Sequence, residues 1–504
     1  MEIRQLEEEL LQILFELIHS EERINHLTQR VHPVYRLSAK NLLRYLILRS
    51  KDLRKYHGKL SDLGVSSLRS AEGYVFSNLY NVVRNLNLIR GTPFNLKPEV
   101  DLIGYTGSME LLRAHTNTLF SLPSKTHFTR IMVTLPDEAA EDKELIRNMA
   151  ESGMDIARIN LSHGDLTMWS KMVEHIQEIK KEDGHPIQIY MDLSGPKLRT
   201  SNITILSKKG KIKDSVPVKK GDHIILAKEG TTDKIAASET KGKVKKRVVK
   251  VMLDEVIDDA QIGEVVLFDD GMIKSIVVDK KEHLLELEMT ECYKPKLGSH
   301  KGINLPNTKL DLPALTKKDI TDLAFVCQHA DMAGYSFVRT AEDVKHLYDE
   351  LKKYNTDRLG IVFKIENQEA FENLPDILIK GMERNGIGVM IARGDLAVEI
   401  GFERISEVQN EILWLCEAAH IPVIWATQVL ENLAKTGIPT RAEISDAALS
   451  VHAECVMLNK GPKILSAIHV LNNILIRMEG HSFKKKNELR ALSVAKQYVD
   501  RMKH

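Results

Sequence analysis

The sequence predicts an α/β protein: a (β/α)8 TIM barrel with a small β domain inserted after its third strand and an α-helical domain before its first. Three observations predict it. Eight short apolar runs of β type, each accompanied by a segment of helical period, alternate from about Thr129 onward. The alternation breaks once, from Ser201 to about Pro306, where period-two patterning and Gly-rich turns take over. Everything before the alternation reads as helix.

Taken in order, residues 1–127 carry apolar stripes at helical spacing. Leu6, Leu10, Leu11, Ile13, Leu14 and Leu17 form one, and "SAKNLLRYLILRS" and "SAEGYVFSNLYNVVRNLNLI" form others. No catalytic cluster stands out, so the segment is expected to be a packing or docking module. Acidic residues interrupt its first stripe, which a signal peptide would not tolerate, and no run reaches the ~18–20 apolar residues of a membrane span. A cytoplasmic protein without membrane contact is expected.

The barrel is expected over 128–200 and 306–482. Its strands are "TRIMVTL", "DIARINL", "IQIYMDL", "DMAGYSFV", "LGIVFKIE", "GIGVMIAR", "IPVIWATQ" and "ECVMLNK". No GxGxxG follows the second element and no GxxxxGK[ST] occurs, which argues against an open dinucleotide-binding sheet and a P-loop. The insertion, 201–305, holds "KKGDHIILAKEG" and "GEVVLFDDGMIKSIVVDKKEHLLELEMTEC". Its basic clusters (Lys208, Lys209, Lys211, Lys213; Lys243, Lys245, Lys246, Arg247) read as a solvated face, with phosphate contact on domain closure as the sharper alternative. Residues 483–504 are expected to form a helical tail.

Composition narrows the function. Lys plus Arg total 71 and Asp plus Glu 70, a net +1 that offers no global field for nucleic acid or an anionic membrane. Four cysteines without a CxxC are expected to be reduced thiols.

In a barrel of this type the chemistry belongs where strands end. Arg158, Asn160 and Ser162 lie two apart and project to one side of an extended chain; so do Lys364 and Glu366. Asp192, Ser194, Lys197 and Arg199 follow the third strand, and Asp395 follows Gly394 after the sixth. One strand ending in a charge is explained by a salt bridge. Several converging on one rim point to a site, because an uncompensated set would be costly. Two carboxylates from adjacent strands suit Mg2+ with open positions for substrate oxygens, and a Lys and an Arg beside them suit a phosphoryl group in transfer.

The motifs "ARINLSHG", "MDLSGPKLRT", "FDDGMIK", "GSHKGINLP", "LDLPALTKKDITDL", "FKIENQEA", "ARGDLAVE", "ATQVLENL" and "PTRAEISDAA" resemble the pyruvate kinase family in order and spacing, over about Thr129 to Leu458. The resemblance implies a glycolytic phosphotransferase that moves the phosphoryl group of phosphoenolpyruvate to ADP, yielding pyruvate and ATP. It implies Lys364 and Arg158 on the phosphoryl group, Ser336 beside it, and Glu366 and Asp395 as ligands of Mg2+, with Mn2+ as an alternative. Gly394 would receive the substrate carboxylate through its amide, and Thr427 would lie over the enolate face. Asn160, Arg199 and Lys301 would face ADP or ATP; Asp269 and Asp270 would belong to the lid.

The sequence also departs from the family. Members that need K+ carry a Glu and a Thr where this chain has Lys197 and Leu193. Activity without K+ is therefore expected, the Lys197 ammonium filling a monovalent-cation pocket formed with Asn160, Ser162 and Asp192. After the eighth strand "LNKGPKILSA" replaces the family's "SGETAKG". The usual C-terminal α/β domain is expected to be missing, with its subunit contacts and effector site. A homo-oligomer is still expected, the N-terminal helices serving as the assembly element. Two alternatives remain: a regulatory protein that binds phosphoenolpyruvate or pyruvate with weakened catalysis, and a related Mg-enolate lyase or aldolase.

Overall fold

A computed structural model describes residues 2–121, 128–201, 203, 205–206, 212–231, 247–354, 356–484 and 486–487. All eight strand expectations are met. Strands β1 (Arg130–Thr134), β2 (Ile156–Asn160) and β3 (Gln188–Asp192) precede the insertion. Within it lie β4 (His223–Ala227), β5 (Arg247–Lys250), β6 (Val265–Phe268), β7 (Ile273–Lys280), β8 (Leu284–Cys292) and β9 (Ile303–Asn304). After it come β10 (Met332–Tyr335), β11 (Gly360–Ile365), β12 (Ile387–Ala392), β13 (Val423–Ala426) and β14 (Cys455–Leu458). The closed barrel runs β1-β14-β13-β12-β11-β10-β3-β2, all neighbours parallel. Parallel closure demands helical crossovers and two buried faces, which is why the strands read as continuous apolar runs.

A cluster of side chains fills the barrel interior, among them Met132, Ile156, Tyr190, Met332, Val362, Met390, Ile424 and Met457, all buried. Because side chains alternate along a strand, the next inward layer lies two residues on. It consists of Thr134, Arg158, Asp192, Gly334, Lys364, Ala392 and Ala426. The change from apolar to polar between these layers is the physical origin of the site.

The N-terminal segment is helical as expected, with Ile3–His19, Arg36–Arg49, Val75–Arg90 and Tyr105–Phe120 its longest helices. It packs on its own barrel. One hydrophobic cluster extends from Leu6, Leu10 and Leu14 through Leu79 and Val83 to Ile146, Leu347 and Ile412 on the barrel's helical layer. At the barrel floor Leu119 and Phe120 join the interior layer. Gly388 admits them: a Cβ there would lie 2.5 Å from a Leu119 methyl. Polar contacts fix the seat: Asn41 Nδ2 donates to the Ala418 carbonyl at 2.8 Å, and His115 Nδ1 donates to the His420 carbonyl at 2.7 Å. Burial pushes the His115 imidazole below its usual range.

The inserted domain is a six-stranded sheet, β9-β6-β7-β8-β4-β5, over a core that includes Ile224, Leu226, Val266, Phe268 and Leu287. It rests on the barrel at the Arg393–Ile400 helix, where Asn304 Nδ2 donates to Glu399 Oε1 at 2.8 Å. Of its basic clusters, Lys208, Lys209, Lys211, Lys243, Lys245 and Lys246 lie outside the described residues. Arg247 is engaged, donating to Asp222 at 2.8 Å.

The tail expectation needs correction at its start. Ser482–Phe483 pairs with Lys486–Asn487 as a short hairpin rather than a helix, with Lys484 at a positive φ of 52° in the turn; residues 488–504 lie outside the described residues. Among the described residues no helix is long and apolar enough to cross a membrane. The four cysteines are free, Cys416 and Cys455 buried and Cys292 and Cys327 partly so.

Candidate active site

The polar layer forms one connected network. Arg158 Nε donates to Asp192 Oδ2 at 2.7 Å, and its NH1 donates to Thr134 Oγ1 at 2.8 Å. Tyr190 donates its hydroxyl to Asp192 Oδ1 at 2.8 Å. Lys364 Nζ donates to Ser336 Oγ at 2.8 Å and lies 3.1 Å from Glu366 Oε1 and 3.5 Å from Asp192 Oδ1. Ser336 donates its own hydroxyl hydrogen bond to the Leu193 carbonyl at 2.7 Å. Arg158, Asp192, Ser336, Lys364 and Glu366, singled out in sequence across more than two hundred residues, are thus brought together and buried.

Charge states follow from this packing. Burial works against the Lys364 ammonium, but Asp192 and Glu366 outweigh it and hold the group above its usual range. Burial likewise acts to raise the Asp192 carboxyl, and Lys364, Arg158 and the Tyr190 hydroxyl overcome it, leaving the acid below the ordinary carboxylate range. Glu366 goes the other way. Burial pushes it up and Asp395 adds to that, against the pull of Lys364 and Lys197. Its second oxygen accepts from the Phe337 amide at 2.7 Å.

Asp395 lies in the first turn of the Arg393–Ile400 helix, and Lys197 Nζ meets its two oxygens at 2.8 and 3.1 Å. This corrects the expectation for Lys197: its ammonium reaches across to Asp395 instead of lying among Asn160, Ser162 and Asp192. Arg158, Tyr190 and Lys364 already engage Asp192, so that carboxylate has little to offer another cation. Ser162 is exposed in the turn after β2, where its amide donates to Asn160 Oδ1 at 3.1 Å.

The Gly394 amide donates to Thr427 Oγ1 at 3.1 Å, so an anion received by that amide would be shared with the Thr427 hydroxyl. Arg393 positions this pair. Its Nε donates to the Ala426 carbonyl at 2.9 Å, its NH2 to the Thr427 carbonyl at 2.8 Å, and the same guanidinium forks onto Asp446. Sequence reasoning missed Arg393, although it directly precedes Gly394. It also missed Gly334, where a Cβ would lie 2.0 Å from the Tyr190 hydroxyl and 2.1 Å from Asp192 Oδ1. Only glycine leaves room for that hydrogen bond.

Two cavities flank the network. One, of about 440 Å3, opens between barrel and lid and is lined by Lys197, Glu366, Asp395, Arg339 and Glu399. The other, of about 290 Å3, lies beside Arg158 and Asn160 and is walled by His163, Met168, Trp169 and Lys460. Lys460, from the divergent loop after β14, lies 2.8 Å from Asp137. Arg199 belongs to the lid base, donating to the His300 carbonyl at 3.2 Å, and Lys301 pairs with Asp269 on the lid at 3.0 Å.

The donor set fits a hard divalent cation. Glu366 and Asp395 offer only oxygen and line one cavity, and Asp395 adds to the cost of ionising Glu366, which a divalent ion would relieve. No group of three or more His, Cys, Asp or Glu suited to a metal occurs among the described residues, so such an ion would complete its shell with water or substrate oxygens.

These features define a (β/α)8 barrel protein with a rim of paired cations and carboxylates beneath an inserted lid. The family described as "Pyruvate kinase, barrel domain" matches residues 126–462. Curated relatives called pyruvate kinase are similar: that of Bacillus licheniformis is 32% identical over 361 residues, 70% of this chain and 57% of its own length. The Geobacillus stearothermophilus protein is 33% identical over 358 residues, again 70% and 57%. That of Hypocrea jecorina is 32% identical over 377 residues, 73% of this chain and 65% of its own length. The chain belongs to the pyruvate kinase family, and it spans less than two thirds of the length of these relatives.

Proposed function

We propose that this protein transfers the phosphoryl group of phosphoenolpyruvate to ADP, giving pyruvate and ATP. The observation that carries the reading is the buried Lys364 ammonium, held by Ser336, Glu366 and Asp192 beside the Arg158 guanidinium. The phosphoryl transition state spreads negative charge over its equatorial oxygens, so fixed cations stabilise it without reorganising. Lys364 and Arg158 would supply that field, and Ser336 would keep the Lys364 ammonium aimed at the phosphoryl group. The ester P–O bond breaks as an oxygen of the ADP β-phosphate bonds to phosphorus. The enolate left behind takes a proton at its methylene carbon, and ketone formation makes the transfer downhill.

A divalent ion held by Glu366 and Asp395 would neutralise substrate and developing charge as a Lewis acid. Gly394 and Thr427 would orient the substrate carboxylate, with the Thr427 hydroxyl near the enolate face. The cavity beside Asn160 would take the nucleotide, with Arg199 and the lid's Lys301 reaching its phosphates. Lid closure would exclude water and so suppress hydrolysis. Independence from K+ goes with this reading because Leu193 offers no side-chain oxygen for a monovalent cation. Glycolysis, a cytoplasmic location and self-assembly go with it as well.

The test is pyruvate formation from phosphoenolpyruvate, ADP and Mg2+, with and without K+. Turnover that depends on all three and is unchanged by K+ is expected. Phosphoenolpyruvate binding without turnover would favour a metabolite-binding protein.

A further inference from the structure

Lys197 and a divalent ion have claims on the same carboxylate. One ammonium spans both Asp395 oxygens, at 2.8 and 3.1 Å. Lys364, another ammonium at this rim, is buried and fixed by three partners. Lys197 differs in two ways. Its side chain is 30% exposed, and Asp395 is its single ion-pair partner among the described residues. Its four-carbon stem is also long enough to swing the charge into solvent. The stem lies at the base of the lid: Ile303 of β9 donates its amide to the Leu198 carbonyl at 3.0 Å, and a Cβ on Gly302 would lie 3.8 Å from Lys197 Cε.

We propose that Lys197 is a built-in competitor for the divalent-cation site, released toward the lid when an ion takes Asp395. The proposal rests on the reading of Glu366 and Asp395 as the ion's ligands. An ammonium within hydrogen-bond distance of both Asp395 oxygens already neutralises that carboxylate and takes one lone-pair direction on each oxygen, and a second cation brought to the same oxygens would be repelled by it at such range. Binding the ion therefore breaks a charge-assisted contact that a neutral side chain would not make. Divalent-ion affinity is accordingly set below what the two carboxylates alone would give. Ion binding also frees a positive charge beneath the lid strand, where anionic substrates arrive.

The experiment measures Mn2+ binding by calorimetry and by the paramagnetic resonance signal of free Mn2+, without substrates. Lys197→Met is expected to tighten Mn2+ binding about tenfold. Lys309→Met removes an exposed ammonium that lines the same cavity but forms no ion pair with Asp395 among the described residues, and is expected to change binding by less than about twofold. In the unmutated protein, acylation of Lys197 read by mass spectrometry is expected to accelerate when Mg2+ is added. That arm decides the matter alone if Lys197→Met fails to fold. Unchanged or weaker binding in Lys197→Met, equal tightening in Lys309→Met, or an acylation rate indifferent to Mg2+ would overturn the proposal. Mn2+ binding as tight in Asp395→Asn as in the unmutated protein would instead overturn the ligand assignment on which it stands.

Discussion

At the C-terminal mouth of the barrel, the layer above Ile156, Tyr190 and Val362 is Arg158, Asp192 and Lys364. At the N-terminal mouth the same strands close over Leu119 and Phe120, delivered by a helix from outside the barrel. Both layers are buried, yet their energetics are opposed. The lower one gains from each apolar contact, while the upper one must offset the desolvation of several charges through reciprocal hydrogen bonds. A fold that devotes one end to cohesion can hold charges at the other in a geometry they would not adopt by themselves. Substitutions at the two ends should therefore separate activity from stability.

The largest effect is expected at the top. Lys364→Met should lower turnover by roughly a hundredfold to a thousandfold, the range found when a single preorganised group is removed from an electrostatic site. Because it also leaves Glu366 and Asp192 short of a cation, its melting temperature must be recorded with the rate. At the bottom, Leu119→Ala should cost about 2–4 kcal/mol of stability by opening a cavity, with activity per folded molecule retained. Unfolding by urea, alongside the same assay, checks both halves of that statement. Arg393→Met should be intermediate: losing the contacts to the Ala426 and Thr427 carbonyls should reduce turnover by roughly tenfold to a hundredfold, as expected for a misplaced orienting group.

The smallest effect concerns the lid contact and its pH dependence. Burial pushes the Glu399 carboxyl up to about 7, against the pull of the Asn304 hydrogen bond. The unfolded chain releases this proton near the usual carboxylate range, so the folded state binds more protons between there and about pH 7. The stability associated with Glu399 is thus fully present in acid and lost as pH rises through about 7. Glu399→Gln should stabilise the protein on the order of 1 kcal/mol at pH 8 and have little effect at pH 4. Melting curves across that range give the sign directly. A larger gain in acid than in base would contradict it.

Much of this contrast was legible in the sequence because it follows from periodicity. Residues two apart on a strand share a face, so Arg158 and Asn160, and likewise Lys364 and Glu366, could be set on one side at a strand's end before any fold was known. Motif order located Glu366, Asp395, Gly394 and Thr427. What periodicity cannot give is the partner of a long flexible side chain. Lys197 could be placed near the rim but not on Asp395, 198 residues away, because that choice depends on barrel closure and on Asp192 being already engaged. Gly334 was hidden for a related reason: its role is to be small opposite Tyr190, and a strand glycine carries no signal of what it faces. Arg393 offered no signal of its own, because its partners, Asp446 and the Ala426 and Thr427 carbonyls, lie more than thirty residues away in the chain. Leu119 looked like any apolar helix residue, since nothing local indicates that the helix ends inside a barrel floor.

The account is tested most directly by comparing the unmutated protein with Lys364→Met for pyruvate release from phosphoenolpyruvate, ADP and Mg2+, each preparation shown to be folded by its melting curve. It predicts ATP formed in equal amount with pyruvate by the first and roughly a hundredfold to a thousandfold less by the second. A folded unmutated protein that releases no pyruvate, or a Lys364→Met variant that releases it undiminished, would contradict it.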